Sequence, residues 1–367
     1  MKPQVLTVVE QFWHRDPGGT ATATEQTMSA LTDLNEFHLA GLAARHSPPV
    51  QGRPDPWHRM PARSTLRFHW LPRPALYEAW LRLGWPSIDR YCDDTTVVWA
   101  SSLVVPPTTA PTVSTVHDLD FLTNPSFSTR RGRSFFPLVW QRAKERSDLM
   151  ICPTQLVADD CVRRGIDEDR VRVVPWGVAR PATSAEHAAS VVADLGLSDP
   201  YVLWVGPLSP RKNPKGAALA MGRVDAELVV VGGRGEDPEA AAALASLGNR
   251  VRRLGGVDDE TLSALYRSAR ALLYPSLAEG FGLPVLEAMV HGTPVVTSLG
   301  TATEEVAGSA ALLVDPRKPD DIADALCAAL YDAETRATLI QKGYDRAASL
   351  SWESTAKGYA EAFRSVL

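Results

Sequence analysis

The sequence predicts an α/β protein built from two halves, each a parallel sheet wrapped by helices. Three observations carry this expectation. The chain has 367 residues, and at roughly 100–200 residues per domain that is room for about two domains. Short apolar runs alternate with helix-patterned stretches along nearly the whole length, as consecutive β and α units do in doubly wound sheets. A strand, a glycine-rich turn and a helix open the chain, and the same grammar returns at Tyr201 and again between Tyr274 and Ser298.

Composition excludes several classes. A 45% share of hydrophobic residues supports large buried cores, and a net charge of −5 gives the chain as a whole no general electrostatic reason to bind nucleic acid. The four cysteines, Cys92, Cys152, Cys161 and Cys327, show no C-x-x-C or His-paired metal spacing and read as reduced thiols of a cytoplasmic protein. The opening MKPQVLTVVEQFW has one Lys and then an apolar run broken by Glu10, which is not the pattern of a signal peptide. No apolar stretch reaches the ~18 residues that would predict a membrane span.

In the first half, Gln4 to Val9 reads as a strand, followed by the Gly18-Gly19 pair and a helix of good formers. Pro17, Gly18, Gly19 and Thr20 lack the G-x-G-x-x-G spacing, which argues against a dehydrogenase. Further strands are expected at Glu36 to Ala43, Thr96 to Ala100, Thr112 to Val116, Leu149 to Cys152 and Val171 to Val174. TVHDLDFL puts His117 and Asp118 at the carboxyl end of a strand; an Asx turn at Asp118 beside a satisfied His is the alternative reading. Between Ser47 and Cys92 lie seven Arg, no Lys and three acids, interleaved with Trp57, Trp70, Trp80 and Trp85. That composition has two readings: a basic aromatic surface resting on an anionic membrane, or, for ALYEAWLRL, an ordinary amphipathic helix packed on the first sheet. The first domain is expected to span 1–179, with 180–199 as a linker and short helix.

The second domain, 200–350, begins with strands at Tyr201 to Gly206, Glu227 to Gly233 and Val251 to Val257. After Gly206 comes PLSPRKNPKG, where Arg211 and Lys212 precede helix-compatible sequence. Two cations at a strand's carboxyl end suit a diphosphate, although a charge pair also reads as a solvated turn. Ala271 to Tyr274 is the next strand. The loop Ser276 to Leu283 follows, then a helix begun by Pro284 and stopped by Gly292, and a strand from Pro294 to Thr297. In an open parallel sheet this loop lies where ligands bind. Gly280 and Gly282 bare the backbone around Phe281, and Glu279 and Glu287 bracket the construction. Each acid also has a plain reading, Glu279 as a solvated loop residue and Glu287 as a helix-dipole partner. Ala311 to Pro316 is the last strand signal, and the final helix, about 351–367, closes the chain.

The E-x7-E pattern within EGFGLPVLEAM, together with the Gly206-x5-Lys212-Asn213 element, resembles the retaining GT-B glycosyltransferases of family 4. The resemblance covers nearly the whole chain and implies two Rossmann-like domains facing across an interdomain cleft, with the last helix joining the first domain. It implies an acceptor-binding first domain and a nucleotide-sugar-binding second one. Gly18 and Gly19 would let the acceptor and transferred phosphate approach the backbone, and His117 with Asp118 would face the donor sugar. Arg211 and Lys212 would neutralise the diphosphate beyond Gly206; Gly256 and Val257 would meet the base. Glu279 and the backbone from Gly280 through Phe281 and Gly282 to Leu283 would hold the sugar, and Glu287 the ribose. Two departures stand out: Pro207 where some members carry Arg, and Trp176 where Asn is usual.

The implied activity is transfer of a hexose from a nucleoside diphosphate sugar, GDP-mannose favoured, to a glycan or lipid-linked acceptor, as in polysaccharide biosynthesis. No metal and no further cofactor are expected. Contact with the inner face of the cytoplasmic membrane is the partner reading that the basic aromatic segment adds. A sugar-nucleotide epimerase of the same architecture is the main alternative, since it binds the nucleotide alike but needs no acceptor. A glycosidase would use two carboxylates without explaining the Arg-Lys pair, and a non-catalytic sensor would not need so complete a site.

Overall fold

The computed structural model describes residues 2–14, 18–46, 56–127, 130–181, 183–197, 199–232 and 238–367. Pro17, the first part of the basic aromatic segment (47–55) and the expected end of a strand at Gly233 lie outside the described residues. The chain divides into two compact units, 1–177 with 352–367 and 178–351.

The first unit holds seven parallel strands: β1 Gln4–Val8, β2 His38–Arg45, β3 Thr65–Pro72, β4 Thr96–Ala100, β5 Thr112–Thr115, β6 Leu149–Cys152 and β7 Val171–Val173, in the order β3-β2-β1-β4-β5-β6-β7. Covered on both faces, the central strands are apolar throughout rather than alternating; Val5, Leu6, Val97, Val98 and Val113 are fully buried. β3 was not expected. Its sequence TLRFHWLP mixes Arg and His with apolar residues because it is the sheet's edge, where only His69 is buried.

In the basic aromatic segment the amphipathic-helix reading holds for the helical stretch, and two tryptophans stand exposed near it. In the helical stretch Arg73–Glu78 and the turn Ala79–Leu83, Leu76, Trp80 and Leu81 are buried in the core below the sheet. Trp70 and Trp85 are instead 48% and 55% exposed and meet edge-on at 6.0 Å, and Leu83 is 74% exposed. Arg82 and Arg131 lie nearby, each within 4 Å of Glu78.

The helix Trp352–Val366 packs into the first unit through the face Thr355, Ala356, Tyr359, Ala360 and Phe363, whose three- and four-residue spacing marks a single stripe. Phe363 meets Phe37 edge-on at 5.8 Å, the Tyr359 hydroxyl lies 3.1 Å from Thr115 Oγ1, and Thr355 Oγ1 donates to the Pro175 carbonyl.

The second unit holds β8 Tyr201–Val205, β9 Glu227–Val231, β10 Val251–Gly255, β11 Ala271–Tyr274, β12 Val295–Ser298 and β13 Leu312–Val314. All pair in parallel, in the order β10-β9-β8-β11-β12-β13. The order reverses between β8 and β11, so ligands are expected beyond those two strand ends. The stretch expected to link the units carries the helix Ala185–Asp194, capped by Ser184. It packs along the helix Asp259–Ser268 and buries Ala188, which places it within the second unit.

Candidate active site

Three strand ends of the second sheet come together backbone to backbone. Gly206 donates its N–H to the Val231 carbonyl at 2.8 Å, and Gly232 donates to Gly255 at 2.8 Å. Gly206 and Gly232 have φ of +144° and +142°, and a Cβ on Gly232 would fall 2.1 Å from the Gly206 carbonyl oxygen. No side chain fits there, so the loop after β8 can lie directly over the sheet.

That loop turns through Pro210–Lys212 and enters the helix Pro214–Met221 at Asn213, which sits in the left-handed region. Asn213 Oδ1 accepts from Gly216 N–H, while Nδ2 donates to the carbonyls of Pro275 and Pro316, beyond β11 and β13. One amide therefore ties the cation-bearing turn to two other strand ends. Leu277 N–H donates to the Arg211 carbonyl at 2.8 Å, which adds a backbone link to the loop after β11.

The two cations and Glu279 form one cluster. Lys212 Nζ donates to Glu279 Oε1 at 2.5 Å and to the Tyr274 hydroxyl; Arg211 Nη1 donates to Glu279 Oε2 and to the Ala278 carbonyl, both at 3.2 Å. Glu279 is 7% exposed. Burial alone would raise its pKa, but Lys212 and Arg211 outweigh that and hold it down at about 2. The cluster keeps a formal charge of +1 at neutral pH, from two cations and one carboxylate. Glu279 thus positions the cations.

Gly282, with φ +98°, caps the helix Leu283–Val290; a Cβ there would meet Thr303 Cγ2 at 2.7 Å. Phe281 and Leu283 turn their side chains into the core. Glu287, one turn into the helix, accepts a 2.8 Å bond from the Tyr266 hydroxyl. Burial raises its pKa against that bond, and Asp259 adds to the rise. Gly256 follows β10 at the exposed end of the strand, with open space where a Cβ would stand, and Val257 is next to it.

In the first unit, Gly18 caps the helix Gly19–Leu34 and both glycines are exposed. His117, after β5, has Nε2 at 2.8 Å from the Ser101 carbonyl, so that nitrogen is the donor and Nδ1 the acceptor. Burial lowers its pKa, against the Ser101 bond and Asp118, and keeps it neutral. Trp176, standing where the family resemblance has Asn, packs its ring 5.4 Å from His117. Asp118 Oδ1 accepts from Asp120 N–H, which makes the Asx-turn reading of this residue correct as local structure.

The structure therefore brings Arg211, Lys212 and Glu279 into contact and sets the Gly280–Leu283 backbone beside them in sequence. Tyr274 and Tyr266 were given no role at the site by the sequence, and Asn213 only its place in the Gly206-x5-Lys212-Asn213 element. Tyr274 is the last residue of β11 and could have been found by asking what the final side chain of a strand touches.

These features define a doubly wound domain with a cationic, glycine-bared site at its switch point, a type that binds phosphorylated ligands. Comparison with known proteins narrows the class. Residues 17–180 match the family described as Glycosyltransferase Family 4 and residues 191–346 the family described as Glycosyl transferases group 1. O-antigen chain mannosyltransferase B of Escherichia coli is 31% identical over 256 residues, covering 66% of this chain and 67% of that protein. D-inositol 3-phosphate glycosyltransferase of Nocardia farcinica is 34% identical over 242 residues, 60% of this chain and 53% of that one. Among solved structures, HepE of Anabaena in complex with UDP and glucose superposes with a TM-score of 0.75 at 17% identity, covering 99% of this chain and 100% of that one. The chain belongs to the group 1 glycosyltransferases, with the GT-B fold of two Rossmann-like domains, and is a glycosyltransferase.

Proposed function

We propose that this chain transfers a hexose, mannose in first place, from a nucleoside diphosphate sugar to a hydroxyl of a glycan or lipid-linked acceptor, with retention and without a metal. The observation that supports this reading above all is the Arg211–Lys212–Glu279 cluster at the switch point. As the bond from the anomeric carbon to the phosphate oxygen breaks, negative charge grows on the diphosphate. Two preorganised cations in a part-buried site stabilise that charge more than they stabilise the ground state. The acceptor oxygen bonds to the anomeric carbon on the face that the phosphate leaves, and its proton passes to a phosphate oxygen. No protein nucleophile is required. Glu279 and the Gly280–Leu283 backbone hold the sugar, Glu287 the ribose, Gly256 and Val257 the base, and Gly18, Gly19 and neutral His117 serve transfer from the first unit.

Mannose and GDP-mannose are favoured by the PRKN sequence around Lys212 and by the mannosyltransferase relative. The relatives are glycosyltransferases, which does not favour the epimerase alternative. The exposed Trp70–Trp85 pair with Leu83, Arg82 and Arg131 supports a vesicle-borne acceptor. The test is incubation with a panel of GDP, UDP and dTDP sugars in the presence of EDTA, with acceptors absent, free in solution or displayed in anionic vesicles. Acceptor-dependent release of GDP from GDP-mannose, strongest on vesicles, is expected. Epimerised nucleotide sugar without acceptor, or activity lost to EDTA, would overturn the respective part.

A further inference from the structure

Beyond the donor cluster, one end of the first sheet carries polar chemistry that the donor reading leaves unused. β1, β2 and β3 are neighbours, and their carboxyl ends lead to Glu10, His46 and Arg73. The register pairs Arg45 with Pro72, so His46 and Arg73 leave adjacent strand ends side by side.

Glu10 is 1% exposed and held by two partners: the Ala44 N–H donates to its Oε1, and His46 Nε2 lies 3.0 and 3.2 Å from its two oxygens. Facing a carboxylate, that nitrogen is the donor. The bond fixes the His46 ring, which stacks on Trp13 at 4.9 Å and 11°; Phe68 then meets Trp13 edge-on at 5.9 Å. The result is a rigid aromatic shelf of the kind on which sugar C–H faces rest, with Glu10 as its positioning residue.

Arg73 follows β3 at the same end of the sheet as this shelf. Its Nη1 is buried and has no hydrogen-bond partner among the described residues, and no ion pair joins it to any of them. Glu10 and Arg73 act on the same hydroxyl, that of Tyr77. Burial raises its pKa, Glu10 adds to the rise and Arg73 opposes it. The Glu10 oxygens accept from Ala44 and His46. A buried guanidinium nitrogen left unpaired is unfavourable, and an oxyanion would satisfy it.

We propose that Arg73 and the Trp13–His46 shelf form an acceptor subsite that recognises an anionic sugar, the oxyanion bonding to Arg73 and the sugar ring lying on Trp13. The subsite rests on the glycosyltransferase reading and specifies its acceptor as a phosphorylated or carboxylated sugar. The full chain is titrated with hexose 6-phosphate, hexuronate and neutral methyl hexoside, as wild type and as the Arg73→Ala, Arg73→Lys and Lys212→Ala variants, with nucleoside diphosphate binding measured alongside. Wild type binds the anionic sugars at least about tenfold more tightly than the neutral one. Arg73→Ala loses that preference, Arg73→Lys keeps part of it, and Lys212→Ala keeps all of it. Tighter hexose phosphate than hexuronate identifies a phosphate as the anion, and the reverse a carboxylate. Equal binding of neutral and anionic sugars by wild type overturns the proposal, as does an unchanged preference in both Arg73 variants or its loss in Lys212→Ala. Should Arg73→Ala not fold, Arg73→Lys decides by the same preference. Loss of nucleoside diphosphate binding in wild type would instead count against the donor reading.

Discussion

Lys212→Ala lowers kcat/KM for sugar transfer by about 100-fold, the size of effect that removing one preorganised electrostatic contact to the transition state has elsewhere. The protein stays folded, because Arg211 still pairs with Glu279 at 3.2 Å and Asn213 still ties the turn to the ends of β11 and β13. The loss follows from charge. With Lys212 the cluster carries +1; without it Glu279 cancels Arg211, and the leaving diphosphate meets no net positive charge. Steady-state kinetics with donor and acceptor each varied check this, with the acceptor KM unchanged and Lys212→Arg recovering part of the rate. Full activity in Lys212→Ala would remove this residue from the mechanism.

Glu279→Gln acts on stability, and the effect depends on pH. The change keeps the shape but leaves Lys212 and Arg211 partly buried without their carboxylate, which costs about 3 kcal/mol at pH 7. The sign with pH follows from Glu279's pKa, about 2 in the folded chain against 4.5 for an ordinary glutamate. A depressed folded pKa means that the unfolded state binds the proton more readily. Its contribution is therefore fully present above pH 4.5 and lost as pH falls towards 2. Denaturant titrations of wild type and Glu279→Gln between pH 7 and pH 3 should converge as the pH drops. A gap that stays constant over that window would mean that Glu279 is not held ionised by the two cations.

The alternating strand and helix pattern was legible because parallel strands covered on both faces read as continuous apolar runs; Thr96–Ala100 and Leu149–Cys152 fall where the sequence puts them. β3 was not, because an edge strand has no such run. At the site, glycines and acids could be read from local spacing. The pairing of Lys212 with Glu279 could not, since 67 residues separate them and only the adjacency of β8 and β11 brings them together. The same limit hid Tyr266 against Glu287 and the Glu10–His46 bond, which span 21 and 36 residues. Spacing showed which residues stand at strand ends; which of them touch is decided by strand order.

Arg211 and Lys212, held by Glu279, are the proposed diphosphate site. Calorimetric titration of the full chain with GDP, UDP and dTDP, in wild type and in Arg211→Ala, tests it most directly. Wild type is expected to bind one of these nucleotides, and Arg211→Ala to bind it at least about tenfold more weakly, in line with one lost charge-assisted bond. Unchanged affinity in Arg211→Ala would contradict it.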